Sequence, residues 1–249
     1  SRATKLVHGG VRYLAQGNIA LVREALHERT TLLRNAPHLA QPLAFVMPSY
    51  RCWESPFYGV GLKMYDALAG SAGLGATEFL GAQRTLQCLP TVRPEGLKGG
   101  VKYWDGQFDD ARLALALART AALHGALLVN YCAARTLVHE QDKVSGLQCE
   151  DTETGQTFHI RARCVVNATG VWVDALRQQD SEAIHRPVRP IVAPSQGVHV
   201  VVDQEFLPSD HALMVPKTAD GRVLFAVPWL GKVILGTTAS PRNDLDREP

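Results

Sequence analysis

Four strand-like runs follow one another at the end of the chain, and this clustering constrains the fold more than any other sequence feature. The runs are His199–Val202, Ala212–Val215, Arg222–Val227 and Lys232–Gly236. Each is rich in apolar and β-branched residues, and the pairs Asp220-Gly221 and Leu230-Gly231 between them are typical of hairpin turns. The pattern predicts a block of antiparallel strands.

Two amphipathic helices are predicted earlier in the chain. The first begins after Asn18, whose side chain can cap it, and stops before Pro37. The second begins at Asp109-Asp110, where carboxylates can accept from free N–H groups, and ends at Gly125. Both therefore have recognisable start and stop signals.

The remaining segments are predicted to be irregular or extended. Prolines divide residues 43–104 into loops and short strands around one helix over 60–69. Residues 126–138 are expected to be extended, a meander is expected over 144–163, and Cys164–Ala168 has the composition of a buried strand. Helices and strands followed by an antiparallel block predict an α/β plus α+β protein.

Charge, cysteine spacing and hydropathy argue against several kinds of partner and site. The formal net charge is +2, from 26 basic and 24 acidic residues, so a basic face for nucleic acid is not predicted. The five cysteines include no C-x-x-C motif, so neither a metal site nor a disulfide framework is expected. The longest apolar stretch, 113–129, contains Arg119 and His124 and is not expected to span a bilayer.

Two glycine-containing segments could bind a ligand. Gly9-Gly10 lies between Lys5 and Arg12, so free backbone N–H groups and two cations could meet a flat or anionic molecule. The segment 167–170 follows the predicted buried strand, a position where nucleotides bind α/β sheets. Both patterns also occur in plain turns.

Two single residues complete the candidates. His199 lies in an apolar β-run, where a histidine is usually structural but could transfer a proton if it faced a cleft. Thr237 follows a predicted strand, although threonine is common in strands for other reasons. The sequence contains no nucleophile elbow, zinc-protease motif or phosphate-binding loop.

Taken in order, these segments resemble the quinone-linked, FAD-dependent glycerol-3-phosphate dehydrogenase family. The most specific is Thr4-Lys5-Leu6-Val7-His8-Gly9-Gly10-Val11-Arg12-Tyr13-Leu14. Further similar segments are 22–29, 36–39, 103–107, 109–112, 167–170, 197–201, 228–229 and 236–238. The resemblance covers almost the whole chain.

The resemblance implies FAD as cofactor and sn-glycerol 3-phosphate as substrate. Hydride would pass from substrate C2 to flavin N5, giving dihydroxyacetone phosphate, with ubiquinone as the electron acceptor. Segments 1–36 and 107–170 would form part of a discontinuous, glutathione-reductase-like FAD-binding domain. Segments 37–106 and 171–249 would form part of a substrate domain with an antiparallel sheet. The protein would lie peripherally on the inner face of the bacterial cytoplasmic membrane, or on the mitochondrial inner membrane.

The resemblance also implies roles for individual residues. His199 is expected to accept the hydroxyl proton or orient the alcohol, and Arg12 to act with it by supplying positive charge. Arg12, Tyr13 and Thr237 are expected to contact the substrate. The expected cofactor contacts are Ser1, Lys5, Leu6, Gly9, Gly10, Ala168, Thr169 and Gly170.

Some features depart from the family. Ala3, Val171 and Ala239 stand where members commonly have Ser, Pro and Asp, and the missing Asp removes an acceptor close to the expected pocket beside Thr237. The family begins with a strand and glycine-rich turn for the FAD pyrophosphate. Neither precedes Ser1, and the family continues past Pro249, so we expect this segment alone to bind FAD poorly and not to turn over.

Three alternatives stay open. Glycerol-3-phosphate oxidase shares the fold and substrate but passes electrons to oxygen. Another amine- or hydroxy-acid-oxidising flavoenzyme would not require phosphate on its substrate. A non-catalytic α/β interaction module would keep the scaffold without the cofactor, and a true start at Ser1 would favour it over an enzyme.

Overall fold

The computed structural model describes residues 3–14, 17–218, 221–236 and 240–242. Contacts divide the chain into two compact units, one of residues 1–119 with 197–238 and one of residues 120–196 with 239–249. The flavin and substrate domains expected from sequence are defined by function and not by contacts. That division stays a prediction.

The first unit contains an eight-stranded mixed sheet. Its helices are α1 (Val11–Leu14), α2 (Ile19–Asn35), α3 (Glu54–Ala69) and α4 (Ala82–Cys88), with α5 (Asp110–Leu123) crossing the boundary between units. Its strands are β1 (Leu6–Val7), β2 (Ala40–Ser49), β3 (Glu78–Gly81), β4 (Gly99–Phe108), β9 (Val200–Asp203), β10 (Ala212–Val215), β11 (Leu224–Trp229) and β12 (Lys232–Gly236).

The sheet has the order β1-β4-β2-β10-β11-β12-β9, and β3 also pairs with β4. Strand β10 runs parallel to β2, and the other pairs are antiparallel. The four strands predicted after position 198 are therefore confirmed. So is the β11–β12 hairpin, whose two-residue loop is Leu230-Gly231.

The long pair β2–β4 was not predicted, because prolines within residues 43–104 suggested loops and short strands. Pro42 and Pro48 lie inside β2, opposite Gly106 and Gly100. A proline has no N–H for the ladder and is tolerated where its nitrogen faces an unpaired edge. On its other side β2 pairs with β10 only at Phe45 and Val46, so both prolines lie outside that second ladder.

Local interactions are visible at the ends of three helices. The Asn18 side chain accepts from Leu21 N–H at the start of α2, as predicted. Helix α5 also agrees with its prediction and is followed by Gly125 at φ +87°. Helix α3 begins earlier than the predicted position 60, at Glu54, whose carboxylate accepts from the N–H groups of Tyr50 and Arg51 in the preceding loop.

The core lies on both faces of the large sheet. Alternate residues of β2 and β4 pack with α3 on one face, in a cluster of Leu43, Phe45, Met47, Leu62, Val101, Tyr103, Ala212, Met214 and Val227. The opposite face packs Val46, Leu80, Leu89, Leu207, Ala226 and Val233. A third cluster joins α1, α2 and α3 through Leu14, Val22, Leu26, Tyr65 and Ala69.

The second unit contains a three-stranded antiparallel meander, as predicted. Its elements are β5 (Cys132–Glu140), β6 (Lys143–Asp151), β7 (Thr157–Arg161), α6 (Val173–Ala183), and the short pair β8 (Ser195–Gln196) and β13 (Ser240–Pro241). The described helices all fall short of the length and apolar character needed to cross a membrane.

The predicted buried strand Cys164–Ala168 is wrong. The segment is not assigned to a strand, and Val166 is 82% exposed. Strand composition stabilises a strand only when a neighbour supplies ladder hydrogen bonds and packing, and none of the described strands pairs with this segment. The extended segment predicted over 126–138 begins as a strand only at Cys132.

Candidate functional site

The Gly9-Gly10 turn connects β1 to α1 and is buried. Gly10 has φ +67°, a conformation that favours glycine, and a Cβ on Gly9 would lie 2.6 Å from Leu26 Cδ2. The expectation that these N–H groups are free is wrong. Gly9 N–H donates to the Tyr65 hydroxyl (2.8 Å), and Gly10 N–H donates to His8 Nδ1 (3.0 Å).

Behind the turn lies a buried polar network. The Tyr65 hydroxyl donates to Asp105 Oδ2 (3.0 Å), and Arg29 Nη1 donates to Asp105 Oδ1 (2.9 Å). Burial raises the pKa of the Asp105 carboxyl, and the Arg29 guanidinium opposes that rise. Burial and the Asp105 carboxylate both raise the pKa of the Tyr65 phenol, so it stays protonated and able to donate.

A cavity of about 380 Å³ lies beside the turn. Its lining residues are Ala3, Thr4, Leu6, His8, Gly10, Phe45, Tyr103, Asp105, Met214 and Phe225. Phe45 and Tyr103 stack with ring centroids 5.2 Å apart and form part of one wall. Mostly apolar walls with a few polar groups are typical of small-molecule sites, whose volumes are about 300–1,000 Å³.

His199 contacts this cavity through Thr4. Its Nε2 atom lies 3.0 Å from the Thr4 hydroxyl, which lines the cavity. The imidazole also packs against Gly236, where an added Cβ would lie 3.1 Å from Nε2 and still closer to Cδ2. The His199 ring can occupy this space because Gly236 has no side chain.

Lys5 is buried, and its charge is directed to protein groups. The ammonium forms an ion pair with Asp110 at the start of α5 and lies 5.6 Å from the centroid of the Trp229 ring. Its backbone has φ +65°, which is uncommon for lysine. Leu6, in contrast, lies in β1 and lines the cavity. The expected cofactor contact of Lys5 stays a prediction.

The other predicted residues fall in three groups. The Tyr13 ring in α1 covers Gly10, with its Cδ2 atom 2.6 Å from an ideal Cβ there. Ser1, Thr237 and the Arg12 side chain lie outside the described residues. Ala168, Thr169 and Gly170 lie in the second unit.

The 167–170 segment forms a self-contained turn. The Thr169 N–H and hydroxyl both donate to Asn167 Oδ1, at 3.4 and 2.8 Å. Gly170 has φ +61°, and an added Cβ would meet only open space. Backbone geometry, and not crowding, therefore favours glycine there.

Sequence reasoning missed four residues of the site: Thr4, His8, Tyr65 and Asp105. A signal existed for Asp105. The alternating positions Val101, Tyr103 and Asp105 share one face of β4, so the carboxylate follows two buried positions at the strand period. A buried carboxylate in such a series indicates a paired or functional group.

Comparisons with known proteins identify the family of the chain. The chain matches the model of the family described as FAD dependent oxidoreductase over residues 1–249. It is 44% and 43% identical to the mitochondrial glycerol-3-phosphate dehydrogenases of Rattus norvegicus and Homo sapiens, over 262 residues in each case. Those alignments cover 100% of this chain and 35% of each relative, so the chain spans about a third of their length.

Two solved structures extend the comparison. A glycerol-3-phosphate dehydrogenase from Bacillus halodurans complexed with FAD is 34% identical, with a TM-score of 0.72 over 98% of this chain and 40% of that one. The L-alpha-glycerophosphate oxidase of Mycoplasma pneumoniae with FAD bound has a TM-score of 0.68 over 98% of this chain and 62% of that one. At 18% identity, the second shows a shared fold alone.

Proposed function

Because the chain belongs to the FAD-dependent oxidoreductase family, we propose that the protein uses FAD to oxidise sn-glycerol 3-phosphate to dihydroxyacetone phosphate. One observation carries the proposal. The cavity beside the Gly9-Gly10 turn combines an apolar, aromatic wall with the Thr4–His199 pair. The identity of 43–44% to glycerol-3-phosphate dehydrogenases supports the choice of substrate.

The residues of the cavity suit the ring end of a flavin. Phe45, Tyr103 and Phe225 present apolar surface, and Gly10 brings its backbone to the wall without a side chain. Leu6, Gly9 and Gly10 are proposed to hold the cofactor here. Ala168, Thr169 and Gly170, in the second unit, stay proposed cofactor contacts. FAD, when bound, accepts hydride at flavin N5.

His199 and Thr4 are proposed to handle the substrate hydroxyl. As hydride leaves C2, the hydroxyl proton must move to a base, and neutral imidazole is suited to this near pH 7. The Thr4 hydroxyl bonds to His199 Nε2 and also lines the cavity. It either carries the proton to Nε2 or orients the alcohol beside it. Arg12, Tyr13 and Thr237 are proposed to bind the substrate, with Arg12 opposing the phosphate charge.

We propose a quinone as electron acceptor, and ubiquinone in particular. The support is the higher identity to the solved dehydrogenase, 34%, than to the solved oxidase, 18%. A lipid-soluble acceptor requires access to a membrane. The mitochondrial names of the relatives favour the mitochondrial inner membrane if the source is eukaryotic, and the bacterial inner membrane is the counterpart otherwise.

The exposed face of α3 is our candidate for peripheral membrane contact. Trp53 precedes the helix, and Phe57, Val60 and Met64 follow at helical spacing. All four side chains are exposed, and Phe57 is 66% exposed. A contiguous aromatic and apolar face of this kind marks an interaction surface.

Charge favours an anionic lipid surface as its partner. The acidic groups of α3 are directed to backbone, because Glu54 accepts from Arg51 N–H and Asp66 accepts from Thr77 N–H. The cations Arg51 and Lys63 are exposed beside the apolar face. Basic residues flanking an aromatic face suit a helix that lies in the headgroup region.

The test uses the full-length protein loaded with FAD. Under anaerobic conditions, sn-glycerol 3-phosphate should bleach the flavin absorption and unphosphorylated glycerol should not. Reoxidation by a ubiquinone analogue should then be much faster than by oxygen, whereas the reverse would indicate an oxidase. A flavin that stays oxidised with the substrate would refute the proposed reaction.

A further inference from the structure

We propose that Tyr65 is a positioning residue, which the buried Asp105–Arg29 ion pair orients to hold the Gly9-Gly10 turn in the shape that binds flavin. The inference rests on the proposed function, because it assigns a purpose to the turn. Neither Tyr65 nor Arg29 lines the cavity.

The network links the turn to α3, β4 and α2. Tyr65 in α3 is buried, and its hydroxyl oxygen accepts from Gly9 N–H. The hydroxyl proton is donated to Asp105 Oδ2 in β4, and the other carboxylate oxygen accepts from Arg29 in α2. The Tyr65 hydroxyl therefore accepts from the turn and donates to Asp105, whose carboxylate accepts from both Tyr65 and Arg29.

The ion pair sets the direction of these hydrogen bonds. A hydroxyl has one proton to donate, and an ionised carboxylate can only accept. The Tyr65 proton therefore points to Asp105, which leaves an oxygen lone pair for Gly9 N–H. Arg29 favours the ionised form of Asp105, while Gly106 N–H also donates to that carboxylate, at 3.2 Å.

This geometry separates positioning from ligand contact for Tyr65. Gly10 and Asp105 line the cavity, but Tyr65 lies behind the turn and is not a lining residue. Removing its hydroxyl takes no atom out of the cavity wall, and Asp105 keeps its hydrogen bond from Arg29. The loss would free Gly9 N–H, and a looser turn must be ordered when the ligand binds, which lowers affinity.

The experiment compares full-length Tyr65→Phe with the wild type. In the apo protein, hydrogen exchange at the Gly9 amide should accelerate by about tenfold or more, because a buried hydrogen bond is lost. The Kd for FAD should rise by about five- to thirtyfold. At saturating FAD, kcat should stay within about threefold, because the reacting groups are untouched.

Thr85→Val is the matched control. It removes a buried hydroxyl that donates to Gly81 O at 3.0 Å, away from the turn. We expect a similar loss of stability without a change in Gly9 exchange or in the Kd for FAD. If both variants raise that Kd equally, the effect is general destabilisation and the proposal is overturned.

A second variant tests the direction of the hydrogen bonds. Asp105→Asn can donate to the Tyr65 oxygen in competition with Gly9 N–H, so Gly9 exchange should accelerate here too. Unchanged exchange in both Tyr65→Phe and Asp105→Asn overturns the positioning role. Wild-type protein that binds no FAD overturns the proposed function. Faster Gly9 exchange in the variants supports the hydrogen-bonding role of Tyr65 in the turn whether or not FAD binds.

Discussion

The Nε2 atom of His199 lies 3.0 Å from the hydroxyl of Thr4, although 195 residues separate the two in sequence. The contact joins the segment before β1 to the residue that precedes β9. On its other side the ring packs against Gly236 in β12. The position of the proposed proton acceptor therefore depends on two neighbours that do not titrate.

Gly236→Ala should slow substrate oxidation without weakening FAD binding. An added Cβ would lie in the space of the His199 ring, and a displacement of about 1 Å can cost roughly 100-fold in rate. We expect flavin bleaching by sn-glycerol 3-phosphate to slow by about 10- to 100-fold, measured by anaerobic stopped flow in the full-length protein. Gly81→Ala is the control, because a Cβ there meets nothing within 4 Å. Equal rates in both variants would contradict the packing argument.

Lys5→Met should destabilise the protein more than Lys232→Met. The Lys5–Asp110 side chains are 10% and 20% exposed, whereas those of Lys232–Asp203 are 55% and 63% exposed. Breaking the buried pair leaves a poorly hydrated carboxylate, which we expect to cost about 2–4 kcal/mol. The exposed pair should contribute about 0–1 kcal/mol. Urea unfolding measures both values, and equal losses would refute the difference in burial.

Local signals explain which elements were predictable from sequence. Helix α2 was found because Asn18 and Pro37 mark its ends, and the β11–β12 hairpin because Leu230-Gly231 marks its turn. The β2–β4 pair was missed because its register, with Pro42 opposite Gly106, is set between distant segments. The run 164–168 shows the converse, a strand composition without a described partner.

The same limit applies to the site. The resemblance identified His199 and the Gly9-Gly10 turn, since a family pattern records which residues recur. It did not identify Tyr65 and Asp105, which lie 40 residues apart and approach only when α3 packs on β4. Such a network depends on packing between elements, and periodicity within one element does not reveal it.

The Asp174 carboxylate should titrate below its ordinary value of 3.8 in the folded protein. Its pKa is lowered mainly by the N–H of Val192, with further hydrogen bonds from Arg177 and Ile191 N–H. A folded pKa below the unfolded pKa gives stabilisation that is present above the unfolded value and lost as pH falls through the folded value.

The amide shifts of Ile191 and Val192 report this titration in isotope-labelled protein. Both should change with a midpoint below pH 3.8, and Asp174→Asn should abolish the transition. A midpoint above that value would contradict the hydrogen-bonded geometry.

Phe57→Ser combined with Val60→Ser should weaken binding to anionic vesicles. Each removed side chain gives up about 1.5–3 kcal/mol of apolar burial, so partition of the full-length protein onto phosphatidylcholine–phosphatidylglycerol vesicles should fall by at least tenfold. Phe206→Ser is the control, because Phe206 is 61% exposed but lies outside α3.

Trp53 fluorescence distinguishes a lipid surface from other partners of this face. Because the chain has four tryptophans, the Trp53 emission is taken as the difference between the wild type and a Trp53→Phe variant, and it should shift to the blue only when vesicles are added. An emission already blue-shifted without lipid would mean that another part of the protein or a second copy covers the face, and would refute membrane contact there.

Leu230→Asn should stabilise the protein. Leu230 and Gly231 form the two-residue loop between β11 and β12, with φ +48° and +74°. Positive φ at both positions is typical of a type I′ turn, for which Asn-Gly is the preferred pair. Leucine is strained in this conformation by about 1–2 kcal/mol, and asparagine tolerates it better. Leu230 is also 83% exposed, so its replacement loses little packing.

We expect the free energy of unfolding to rise by about 1 kcal/mol in urea titrations. Leu230→Ala removes the same exposed surface without the preference for positive φ and should change it little, so equal gains in both variants would contradict the turn assignment.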